Sequence, residues 1–151
     1  MVPLIPFAGP VWRLLPQHLI ATPSAPAQSP EGRFHHSGQT AAYASLSAEG
    51  AAVAIRRYLS DGVPRWLVPM RLTVQRAADH RGNAEASVVW QDLRASGLPS
   101  PTWRYSDEAR TAGAEAMLYS SRSRPELSHV VVFQPECLFP TGEPQPFTGK
   151  G

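Results

Sequence analysis

The sequence predicts an α+β fold, a single compact domain with a mixed, twisted sheet and flanking helices. Three observations carry the α+β reading. Strand-length apolar stretches recur at Val11–Leu15, Gln39–Leu46, Trp66–Val74, Ala116–Ser120 and His129–Gln134. Helical patterns stand among them at irregular intervals, over Ala48–Leu59 and from Ser106 onward. The length, 151 residues, fits one domain that buries a core without disulfide or metal staples.

Val11–Leu15 is expected as a first strand. Ala21–Pro30, small residues and prolines, is expected as a loop that is mobile or faces a ligand. Along Gln39–Leu46, alternation puts Tyr43 and Ser45 on one face and Ala42, Ala44 and Leu46 on the other, where the alanines admit a close neighbour. Ser47 is a suitable N-cap for a helix over Ala48–Leu59. Its core stripe is Ala51, Ala52, Ile55, Tyr58 and Leu59, with Glu49 and Arg56 off it. In Trp66–Val74, the residues Trp66, Val68, Met70, Leu72 and Val74 share a face. Pro69 there implies an edge strand or a bulge, because proline donates no ladder hydrogen bond.

Asp79–Gly82 reads as a turn, and Ala84–Ala95 is open between helix and strand. Ser106-Asp107-Glu108 is expected to open a short helix that Gly113 stops. His129–Gln134 is apolar almost throughout, as a strand covered on both faces would be. The core is expected over about 10–135, and the proline-rich segment 136–151 as an irregular tail.

Charge and composition narrow the function. The net charge of +2 is small, with no run of five Lys or Arg, which is not a nucleic-acid footprint. Cys137 is the only cysteine, so no internal disulfide forms. MVPLIPFAGPVW lacks a basic leader, and no apolar run nears the ~20 residues that span a bilayer. A soluble, cytoplasmic protein is expected.

The segment GRFHHSGQTAAYASLSAEGAAVAIRRYL brings a guanidinium, a phenol and a carboxylate onto one loop–strand–helix unit. Arg33 is either a phosphate donor or a solvated turn residue. Tyr43 is either a core tyrosine or a platform for an aromatic ring. Glu49 either complements the helix dipole or stabilises positive charge as a sugar bond breaks. His35-His36 does not make a metal site: neighbours on a strand point to opposite faces, and no Cys/His/Asp set completes a ligand group. One of the two histidines could still touch a ligand. Ser120-Ser121, near Arg122 and Arg124, is either a phosphate-binding turn or an ordinary hairpin. There is no G-x-S-x-G elbow, Walker loop or G-x-G-x-x-G, which weighs against triad hydrolase, ATPase and Rossmann readings.

The same segment resembles the G-R-[WF]-[NH]…Y-x-S…P-E-x-A pattern of RES-domain proteins, the toxin halves of bacterial toxin–antitoxin pairs. AGAEAMLYSSRSRPELSHVVVF is similar to the family's later G-x-x-G-[LI]-[LI]-Y-P-S-x-R…[VL]-V-[LV]-F block, and VWRLLP to its first strand. The resemblance covers most of Val11 to Phe133. It implies an ADP-ribosyltransferase-like fold that binds NAD in a cleft and cleaves the nicotinamide–ribose bond. Water, phosphate or a protein side chain would be the acceptor. It further implies a cognate antitoxin with a helix-turn-helix DNA-binding domain. Carried over, the family's arginine falls on Arg33, its tyrosine on Tyr43 and its serine on Ser121, with Arg13 and Ser45 as further NAD-binding candidates. Glu49 matches an acid at the helix start, while an acid position further in falls near Ala54. Ser120 stands where the family has proline. The alternatives are an ADP-ribosyltransferase that modifies a cellular protein and a catalytically degenerate module that binds a nucleotide or a partner.

Overall fold

The computed structural model describes residues 3–55 and 62–147. Strand β1 (Leu4–Pro16) is followed by β2 (Ala42–Ser45), helix α1 (Ala48–Ile55) and the long strand β3 (Arg65–His80). Then come α2 (Gln91–Ala95), α3 (Trp103–Thr111), β4 (Ala116–Ser120), β5 (Ser128–Val132), β6 (Leu138–Pro140) and β7 (Gln145–Phe147). The strands lie in the order β1-β2-β5-β4-β3-β6, with β7 also on β3. Because β1 pairs β3 as well as β2, the ladder returns on itself. The sheet is mixed: β3 and β4 run parallel, and the other pairs are antiparallel.

Alternation sorts the strand side chains into two cores. Val130 and Val132 of β5, Ala116 and Leu118 of β4, and Val68, Met70, Leu72 and Val74 of β3 fill one. Ala42 and Ala44 join it, so the small face of β2 does meet close neighbours. Val131, Met117 and Tyr119 point the other way, into a core with Phe34, Tyr105 and Ala109. Strand β5 is therefore covered on both faces, as its unbroken apolar run requires. Each such aliphatic side chain contributes about 1.5–3 kcal/mol on burial.

Several boundaries differ from expectation. β1 starts at Leu4 rather than Val11, because its ladder with β3 continues to Leu4↔Ala78. Pro69 is neither on an edge nor in a bulge. It faces Trp12 on one side, and on the other it meets the corner between β6 and β7, where its carbonyl accepts from Thr141 N at 3.0 Å. The N and O of a residue in an antiparallel ladder face the same neighbour, so the missing donor falls where the flanking ladder is interrupted. Ala84–Ala95 resolves as a 3-10 turn at Ala84–Ser87 and helix α2. Helix α3 starts at Trp103, not Ser106; the Ser106 hydroxyl bonds back to the Trp103 carbonyl at 3.2 Å instead of capping. Gly113, at φ 88°, follows it as expected. The segment expected to be irregular carries β6 and β7, which extend the sheet along β3. Ser47 does cap α1, accepting from Gly50 N at 2.9 Å, while Tyr58 and Leu59 of the expected stripe lie outside the described residues.

Candidate active site

A cavity of about 800 Å³ opens where β1, β2, β4, β5, α1, α2 and the loop before β2 converge. Arg13, Arg33, Tyr43, Ser45 and Ser121, five of the six candidate residues from distant parts of the sequence, all line it.

Arg33 is held by its backbone. The carbonyls of Gly32, Arg33 and Phe34 each accept a side-chain donor from α3 or the turn before it: Trp103 Nε1 at 2.8 Å, the Thr102 hydroxyl, and Arg110 Nη1 at 2.9 Å. Phe34, fully buried, packs edge-on against Tyr119 with ring centroids 4.7 Å apart. The Arg33 guanidinium reaches the Val88 carbonyl at 2.7 Å. Three consecutive anchored carbonyls make this turn a rigid base for a cation, which cuts the ordering cost of gripping an anion.

Tyr43 and His35 lock each other. Phe34 N donates to the Tyr43 hydroxyl at 3.0 Å, His35 Nδ1 lies 2.7 Å from that hydroxyl, and His35 Nε2 lies 3.0 Å from the Ser29 carbonyl. A carbonyl only accepts, so in the neutral ring Nε2 carries the proton and the Tyr43 O–H donates to Nδ1. Burial pushes the Tyr43 phenol well above its ordinary value, and it stays protonated. With the hydroxyl occupied, its ring is what Tyr43 offers a ligand. The adjacent His36 turns away, stacking on Trp103 at 4.3 Å and meeting Asp107 at 3.0 Å. The described residues hold no cluster of three metal-ligating side chains.

Arg13 is mainly a staple. Its Nε donates to the Tyr43 carbonyl at 2.9 Å, and Nη1 to the Pro23 and Ala25 carbonyls at 2.7 and 2.8 Å. Burial pulls it down to about 10, and it remains a cation at neutral pH. Among the described contacts only Nη2 is left over, so this NAD-binding candidate offers one nitrogen to a ligand.

Ser45 sits opposite His129 across β2 and β5, with Oγ 2.7 Å from Nδ1. Burial, reinforced by the field of Arg33, lowers His129 to about 4, so the ring is neutral. Ser121 closes the turn after β4, its hydroxyl accepting from Arg124 N at 3.3 Å. Ser120, in place of proline, accepts from Gly82 N at 2.9 Å and keeps the turn tied to the end of β3.

Glu49 departs from the expected site. It does not line the cavity; its side chain is 60% exposed, and its carboxylate accepts from Arg124 Nη2 at 3.0 Å. Helical phase decides this. Gly50 and Ala51 turn inward, and each residue is rotated about 100° from the last, so Glu49 faces out. Ala54 does line the cavity.

Sequence reasoning missed Glu31, Trp90, Gln91, Tyr119 and His129, all of which line the cavity. Glu31 alone left a local signal, two residues before Arg33. The others arrive through strand register and helix placement.

The model of the RES domain matches residues 10–148. The chain belongs to the RES-domain family. No curated protein sequence matches it. Among solved structures, this RES-domain chain is similar to one in the crystal structure of the M. tuberculosis MbcT-MbcA toxin-antitoxin complex. The TM-score is 0.65, with 97% of this chain and 87% of that chain covered, at 16% identity. That likeness is one of fold, an α+β domain built on a mixed sheet.

Proposed function

We propose that this protein is the toxin of a toxin–antitoxin pair and that it cleaves NAD at the nicotinamide–ribose bond in the cytoplasm. The observation that carries the reading is the convergence of Arg33, Tyr43, Ser45 and Ser121 on one cavity of about 800 Å³, a volume suited to a dinucleotide. Family membership supports it, as does a structural neighbour that comes from a toxin–antitoxin complex.

In this reading Arg33, with Nη2 of Arg13, holds the pyrophosphate by charge-assisted hydrogen bonds. The Tyr43 ring packs against the nicotinamide end, and Ser121 and Ser45 contact ribose or amide groups. NAD is substrate, and no metal takes part. Water, phosphate or a protein side chain accepts the ADP-ribosyl group. A cognate antitoxin with a helix-turn-helix domain covers the cleft.

The test is to incubate purified protein with NAD, with and without phosphate, and follow nicotinamide release. Arg33→Ala should slow release about 10²-fold or more. Absence of release by the wild type, or full activity in Arg33→Ala, refutes the proposal. Radiolabel from the ADP-ribosyl half appearing on protein rather than in free products favours a modifying enzyme.

A second reading, a nucleotide-binding module without turnover, draws on the outward Glu49 and on Ala54 in the cavity wall. NAD binding without nicotinamide release would favour it.

A further inference from the structure

We propose that Glu31 is the carboxylate that faces the scissile ribose, a role that rests on the NAD-cleavage reading. Glycosyl transfer from NAD needs a stabiliser for cationic ribose. The bond from ribose C1′ to the nicotinamide nitrogen breaks, and its electron pair leaves with nicotinamide, which becomes neutral. The ribose carries the positive charge until the acceptor adds; where that acceptor is water, it then gives a proton to solvent. A fixed carboxylate beside that ring lowers the barrier.

Glu49 does not supply it, because it lies on the outer surface, bound to Arg124. Among the described residues that line the cavity, Glu31 is the one carboxylate. It stands two residues before Arg33 in the turn anchored by α3. Arg94 of α2 grips it from one side, with Nε to Oε1 at 2.9 Å and Nη2 to Oε2 at 3.1 Å. This bidentate pair orients the carboxylate and leaves each oxygen a further lone pair. The Arg94 hydrogen bond also holds Glu31 below the usual carboxylate range, so the anion persists into mild acid.

The same wall carries a second sign of a ligand. Gln91, one turn before Arg94, lines the cavity, and its Oε1 is buried with no hydrogen-bond partner among the described residues. An orphaned buried acceptor calls for an N–H donor. The carboxamide of nicotinamide is such a donor, and Gln91 and Glu31 line the same cavity.

Nicotinamide release from NAD is measured for wild type, Glu31→Gln, Arg94→Gln and Glu49→Gln. Glu31→Gln should lose 10²–10³-fold in kcat, and Glu49→Gln should stay within about twofold. Arg94→Gln breaks the same ion pair but keeps the carboxylate. It should lose less than about tenfold and move the acid limb of the pH–rate profile upward. Equal losses in Glu31→Gln and Arg94→Gln, with no pH displacement, assign the pair to structure and overturn the inference. Full activity in Glu31→Gln overturns it while leaving NAD cleavage intact. No release by the wild type overturns both.

Discussion

Gly32 is held to glycine by its neighbours rather than by a strained backbone, and replacing it tests the packing behind Arg33. A Cβ at this position would lie 2.5 Å from His35 Cε1, 2.9 Å from His35 Nδ1 and 3.1 Å from the Tyr43 hydroxyl. The first two distances lie well inside contact range, so something must move. The ring cannot swing freely, because both its nitrogens are engaged, by Tyr43 at 2.7 Å and by Ser29 at 3.0 Å. Overpacking of this kind costs about 1–3 kcal/mol, and a lost hydrogen bond between buried groups adds about 1 kcal/mol. Gly32→Ala should therefore destabilise by about 3 kcal/mol and lower Tm by roughly 6–12 °C. The assay is urea unfolding of the wild type, Gly32→Ala, His35→Ala and the double variant. If the imidazole is the obstacle, the glycine substitution should cost at least about 1 kcal/mol less once the ring is gone. Strict additivity of the two substitutions would refute the reasoning.

Two further outcomes follow from buried titratable groups. Arg13→Gln strips donors from three backbone carbonyls and should cost about 3 kcal/mol, with new protease cleavage within 21–30; an intact loop under limited proteolysis counts against the staple. His129 titrates at about 4 when folded against 6.5 as its ordinary value, so between these the unfolded chain binds the proton more readily. Stability from the neutral ring is thus intact above pH 6.5 and is lost as pH falls towards 4, by about 3 kcal/mol in all. His129→Gln should flatten that part of the stability–pH curve, and an unchanged slope would rule out His129 as its source.

The elements that period alone defines were legible in the chain. Ala116–Ser120 and the apolar run of β5 follow from strand chemistry, and the Ser47 cap from its hydroxyl. The β6 and β7 strands were not, because three-residue segments rich in proline carry no period; they exist only because β3 offers them a ladder. Pro69 misled for a related reason, since the gap that accommodates it is made by residues some 70 positions later.

For the site, the sequence by itself picked out the candidates: Arg33 behind glycine, Tyr43 on the next strand, and Ser121 after β4 are read from motif order, and they line one cavity. Tertiary structure alone decided what each can offer. The Tyr43 hydroxyl is spent on His35, most of the Arg13 guanidinium is spent on backbone carbonyls, and helical phase turns Glu49 to solvent. It also brought in Glu31 with Arg94, 63 residues apart, and Ser45 with His129, 84 apart. Residue type and spacing specify which chemistry is present. Only register, phase and competing hydrogen bonds specify which atoms remain to perform it.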